Sequence, residues 1–236
     1  MRIEVVDHVA GAAQARGIAV VIDVFRAFTV APHAVAAGAS RVLPVGAIED
    51  ALALRQALPD ALLVGERHAR RLPGFDAGNS PTEIIALGVA GRPVVHTTHA
   101  GTQGLVNATG ADEVLTGSLV NVSAIARYVR SRAPSQVTLV RMGHEARERC
   151  AEDDLCAATL VTLFEGGAPP TTEQARDLLR DAPAARKFFD PACDWAPRAD
   201  FDYCTEVDRF GFVLRLRTGA DGRRELERID VPEAAR

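Results

Sequence analysis

The sequence predicts an α/β fold: a mostly parallel sheet flanked by helices in three α/β/α layers, with a C-terminal β-hairpin and a small cap. Three observations lead there. Runs such as IAVVIDV (residues 18–24) are β-branched and continuously apolar, as in strands buried on both faces. Stretches of helical character separate these runs, which is the pattern of βαβ units. Near the end the pattern changes. FGFVLRLR alternates, TGADGR turns, and ELERIDV returns, which together read as a hairpin.

The elements follow in order. After IAVVIDV, AFTVAPHAVAAGA reads as a helix ending near Gly38, and RVLPVG (41–46) as a second strand. AIEDALALRQAL is an amphipathic helix stopped by Pro59, and ALLVGE (61–66) is a third strand. Pro81 to Leu87 forms a helix. RPVVHTT (92–98) is a strand that runs through the small-residue loop HAGTQG into a short helix. EVLTGS is a strand, NVSAIARYVRS (121–131) a helix, QVTLVRM the last central strand, and Glu152 to Phe164 a helix. Residues 168–202 are helical and then irregular. The chain is therefore expected to be a single domain, or two lobes: a core of about 1–165 and a cap with hairpin of about 166–236.

The 236 residues suffice for a sizeable core, and 47% hydrophobic with 25% charged residues is ordinary for a soluble globular protein. A net charge of −4 argues against a nucleic-acid footprint. Lys187 is the only lysine, so anion recognition is expected to fall to arginine forks and backbone N–H groups rather than to lysine. The four cysteines form no C-x-x-C pair, which disfavours a zinc ribbon or a thioredoxin-type site. No signal-peptide core and no apolar run of about 18 residues is present, so a cytoplasmic protein without membrane contact is the expectation. A homodimer is expected on base rates alone.

Polar clusters fall at the carboxyl ends of the strands, where open α/β sheets bind ligands. Asp23 ends one strand and is followed by Arg26. Glu66 and Arg67 follow another. In GFDAGNSP (74–81), Ser80 is an N-cap, Pro81 suits the first helical position, and Glu83 completes a capping box. A helix N-terminus there suits an anion, with Asp76 and Asn79 beside it. HTTHAGTQG (96–104) offers Thr97, Thr98, Gly101 and Thr102 as a second donor loop. His96 and His99 would point to opposite faces of a strand, which disfavours a zinc pair. Glu152, Asp153 and Asp154 open a helix, either for the helix dipole or to hold Mg²⁺. A Walker A loop, a G-x-S-x-G elbow and a G-x-G-x-x-G fingerprint are all absent.

In their order, these segments resemble the 2-phosphosulfolactate phosphatase family. DVFRAFT (23–29), GER (65–67), GFDAGNSP (74–81), TTHAGTQGL (97–105) and AEDDLCAA (151–158) are similar to its blocks. The resemblance implies an α/β, Mg²⁺-dependent phosphatase acting on 2-phosphosulfolactate in coenzyme M biosynthesis. The chain departs from the family pattern at Phe28, at His99-Ala100 in place of Asn-Gly, and in lacking a glycine after Cys156-Ala157. The expected catalytic residues are Asp23, Arg26, Glu66, Arg67 and Asp76. Asn79, Ser80, Thr97, Thr98, Gly101 and Thr102 are expected to bind phosphate. Asp23, Asp76, Glu152 and Asp153 are expected to hold Mg²⁺. The alternatives are a phosphatase for another phosphorylated 2-hydroxy acid, and a non-catalytic phosphate- or sulfonate-binding protein.

Overall fold

A computed structural model describes residues 1–233. The strands are β1 (Arg2–Asp7), β2 (Ile18–Ile22), β3 (Arg41–Pro44), β4 (Leu62–Arg67), β5 (Arg70–Arg71), β6 (Pro93–Thr97), β7 (Glu113–Gly117), β8 (Gln136–Arg141), β9 (Phe212–Thr218) and β10 (Arg224–Asp230). The helices are α1 (His8–Gln14), α2 (Ala27–Ala36), α3 (Ile48–Ala57), α4 (Pro81–Leu87), α5 (Gly101–Asn107), α6 (Val122–Arg132), α7 (Ala151–Phe164), α8 (Thr172–Leu179) and α9 (Arg198–Cys204).

The mostly parallel strands divide into two sheets. One has the order β1-β8-β2-β7-β9-β10, the other β3-β6-β4-β5. In the first, β1, β8, β2 and β7 run parallel, and the β9–β10 hairpin joins antiparallel at β7. In the second, β3, β6 and β4 run parallel, and the two-residue β5 folds back on β4. Arg41 Nε at the start of β3 lies 2.6 Å from Glu225 Oε2 of β10, so the edges of the two sheets meet.

Burial on both faces explains the sequence of β2. Ile18, Val20 and Ile22 share a core with Leu115, Leu139, Ile125 of α6 and Leu160 of α7. Ala19 and Val21 pack on the opposite side, in a core shared with Val42, Val64 and Val94 of the second sheet, Phe28 of α2 and Leu105 of α5. Helices α2 and α5 thus contribute to a core common to both sheets. A third, smaller core joins Leu43, Leu63 and Val95 to Ala51 of α3. Truncating a fully buried side chain such as Phe28 would cost about 3–5 kcal/mol.

Segment 172–204 packs on the first core through Phe188 and Phe201, which meet Phe25 edge-on at 5.2 and 6.0 Å. Among the described residues no helix is long and apolar enough to cross a membrane. The four cysteines are free thiols.

Candidate active site

The carboxyl ends of β2 and β8 in one sheet, and of β4 and β6 in the other, converge on one cleft. Its lining includes Asp23, Glu66, Asn79, His99, Glu152, Asp153 and Lys187. Asp23 leaves β2 directly, and its Oδ1 accepts the N–H of Ala27 at 3.1 Å, which starts α2. Asp153, in the first turn of α7, is fixed by two backbone donors: Val24 N–H at 2.9 Å to Oδ1 and Gly143 N–H at 2.8 Å to Oδ2. Backbone donors on the chains after β2 and β8 therefore position a carboxylate from α7. Glu66 accepts His99 N–H at 2.7 Å and Ala69 N–H at 2.8 Å, which ties the loops after β4 and β6 together.

Like charges crowd this cleft. Asp23, Glu66, Glu152 and Asp153 are all buried, and the ion pairs among the described residues involve none of them. Burial, and then the neighbouring Asp153, pushes the Asp23 carboxyl up to about 7. Burial, and then Glu152, does the same for Asp153, also to about 7. Glu152 is raised mainly by burial, and its Oε2 is buried without a hydrogen-bond partner. An orphaned carboxylate oxygen beside two mutually repelling carboxyls is a donor set that a hard divalent cation would complete.

The cleft also contains a residue that no local motif marks. Lys187, on the 3₁₀ helix Pro183–Phe188, lines it with Nζ 3.4 Å from Phe25 O. Burial, and then nearby Arg26, lowers its ammonium pKa, while Glu152 and Asp23 favour the charge. Its being the only lysine was the one available signal.

The other expected site residues divide. Arg26 lines the cleft, but its Nη1 binds Asp200 Oδ2 at 2.6 Å and Trp195 O at 3.1 Å. Gly101 backs Asp23: a Cβ there would sit 2.7 Å from both Asp23 Oδ2 and Ala27 Cβ. Asn79 lines the cleft, with Oδ1 3.1 Å from His96 Nε2.

Several expectations need correction. Asp76 does not reach the cleft; its Oδ2 accepts Leu63 N–H at 2.7 Å and pairs with Arg55, so it pins its loop to β4. Arg67 turns away as well, its Nη2 donating to Gly46 O and Thr97 Oγ1, both at 3.0 Å. Thr97 is thereby engaged outside the cleft. Thr98 and Thr102 satisfy one another: Thr98 N–H donates to Thr102 Oγ1 at 2.8 Å and Thr102 N–H to Thr98 Oγ1 at 3.0 Å. Ser80 does cap α4, accepting Glu83 N–H at 3.2 Å, but the capping box is incomplete because Glu83 Oε2 accepts Gly78 N–H instead. The anion at that helix start is the protein's own. Asp200 Oδ1 accepts from Ser80 Oγ at 2.9 Å and from Thr82 N–H at 3.0 Å.

The chain is similar in sequence to a family of known proteins. The family described as 2-phosphosulpholactate phosphatase matches residues 4–219. Three relatives, each called "Probable 2-phosphosulfolactate phosphatase", are similar. The protein from Caldanaerobacter subterraneus subsp. tengcongensis is 32% identical over 218 residues, 85% of this chain and 88% of the relative. That from Deinococcus radiodurans is 41% identical over 148 residues, 62% and 61% of the two chains. That from Thermotoga petrophila is 36% identical over 208 residues, 85% and 89%.

Proposed function

Because the chain belongs to the 2-phosphosulpholactate phosphatase family, we propose that it hydrolyses a small acidic phosphate monoester of the 2-phosphosulfolactate type, with Mg²⁺ held by Asp23, Glu152 and Asp153. The observation that carries this reading is the group of buried carboxylates at the strand ends with an unpartnered Glu152 oxygen. When bound, Mg²⁺ supplies charge stabilisation at the phosphoryl oxygens and lowers the pKa of a coordinated water.

The remaining work falls to the chain itself. Lys187 Nζ provides the positive charge that attracts the anionic substrate and offsets charge on the transferring group. Asp23 Oδ2 carries no backbone hydrogen bond, unlike Oδ1, and in this reading is the oxygen that takes a proton from the attacking water. Asp153, with both oxygens accepting backbone N–H groups, orients rather than transfers. Glu66 holds the loops after β4 and β6 together at the cleft wall. Arg26 joins the cleft wall to segment 172–204 and acts by positioning.

The test is phosphate release from 2-phosphosulfolactate and from other phosphorylated 2-hydroxy acids, with Mg²⁺ and after chelation. Turnover of 2-phosphosulfolactate that stops on chelation supports the reading. Preference for a non-sulfonated ester would reassign the substrate. Stabilisation by the ester without turnover would make the chain a binding protein.

A further inference from the structure

Three loops from both sheets meet at the mouth of the cleft and bring His68, His99 and Glu145 together. One donor atom from each lies within 4.8 Å of the other two. His68 Nδ1 is 2.6 Å from Glu145 Oε1, and the His68 and His99 rings stand edge-on with centroids 5.0 Å apart. His99 Nδ1 is buried and has no hydrogen-bond partner. The backbone of His99 is held by its N–H bond to Glu66 Oε1. A simple surface pair between His68 and Glu145 would explain neither the approach of the second ring nor its orphaned nitrogen.

The donor chemistry differs from that of the inner cleft. Carboxylate oxygens suit Mg²⁺, whereas two imidazoles and one carboxylate suit Zn²⁺ and related transition metals. We propose that His68, His99 and Glu145 form a second metal site, one that binds Zn²⁺ through three protein ligands at the cleft mouth. Three ligands leave coordination positions for water or for an acidic group of a molecule entering the cleft. His99 and Glu145 both line the cleft, so the ion would place positive charge at its open end, apart from the buried carboxylates. This site is independent of whether the inner carboxylates bind Mg²⁺ or the chain cleaves phosphoesters.

The experiment is calorimetric titration of the full chain with ZnCl₂ in excess MgCl₂, paired with the visible spectrum of the Co²⁺-loaded protein. The variants are His99→Ala, the double variant His68→Ala/His99→Ala, and Asp153→Asn. One Zn²⁺ per chain is expected for the wild type and for Asp153→Asn, with Co²⁺ bands of imidazole coordination. His99→Ala should weaken Zn²⁺ binding on the order of 100-fold, and the double variant should abolish the bands. His68 is 71% exposed, so its removal leaves the core untouched; urea unfolding checks each variant. No Zn²⁺ uptake by the wild type, or unchanged uptake by a folded double variant, overturns the proposal. So does loss of uptake in Asp153→Asn alone.

Discussion

Arg26 and Asp200 form a buried ion pair, 2.6 Å between Nη1 and Oδ2, joining the loop after β2 to the start of α9. The second oxygen of Asp200 accepts from Ser80 Oγ and Thr82 N–H. One carboxylate therefore neutralises an arginine, satisfies the Thr82 N–H in the first turn of α4, and ties that turn to a segment nearly 120 residues further along the chain. Negative charge at a helix start is favourable, and here a side chain supplies it.

Removing that carboxylate should be severe. Asp200→Ala leaves Arg26 buried without its partner and is expected to cost about 3–5 kcal/mol, read as a lower urea midpoint. Replacing the pair together, Arg26→Met with Asp200→Leu, should cost less than the sum of the single changes. Additive losses would show that the two residues are energetically independent.

The carboxylate cluster predicts opposite effects on activity and on metal-free stability. Asp23→Asn removes one of several repelling buried charges and can keep its one backbone bond, from Ala27 N–H, so the metal-free variant should be at least as stable as the wild type in alkaline buffer. Its turnover should fall by roughly two orders of magnitude or more, a loss of about 2.7 kcal/mol in transition-state stabilisation. Addition of Mg²⁺ should raise the melting temperature of the wild type and not that of the variant. At a hundred times its dissociation constant the ion would contribute about 2.7 kcal/mol. Equal stabilisation of both proteins would place the ion elsewhere.

Lys187→Met keeps the length of the stem and removes the charge. The variant should fold with near-native stability, because a buried ammonium no longer has to be accommodated. Its kcat/KM should drop on the order of 100-fold, and Lys187→Arg should recover part of the loss. A variant with wild-type kcat/KM would remove Lys187 from substrate recognition.

His96 gives a pH signature away from the carboxylates. Burial pushes its imidazole down from 6.5 to about 4. Between those values the unfolded chain binds the proton and the folded chain does not, so stability falls as pH drops through the window. The loss approaches about 1.4 kcal/mol per pH unit at its steepest. His96→Gln should have a shallower dependence than the wild type from about pH 6.5 to 4 in urea unfolding. Superimposable profiles would rule out His96 as the source.

Much of the strand and helix succession was legible because burial leaves a periodic trace. β2, α4 and the β9–β10 hairpin fall within two residues of the ranges read from IAVVIDV, SPTEIIAL and the FGFVLRLR–ELERIDV pair. The division into two sheets was not legible, since a β-branched run states that a strand is buried and not which neighbour it pairs with. The first strand and helix were also missed: the pattern of β1 is mostly half-buried, and α1 is a short helix rich in small residues. In the cleft, strand-end position pointed to Asp23, Glu66 and Asn79. The same reasoning assigned Asp76 wrongly, because its engagement with Leu63 and Arg55 is tertiary. Lys187 and Asp200 arrive from segment 172–204, where no motif announces them.

A chain whose other side-chain cations are arginines has given its cleft a unique chemical handle. The sole lysine, Lys187, faces the same space as Asp23 and Glu152. An amine-selective reagent can therefore modify one side chain, and peptide mapping would separate it from the α-amino group. Protection of that amine would report occupancy of the cleft by any small anion, without requiring that the anion react.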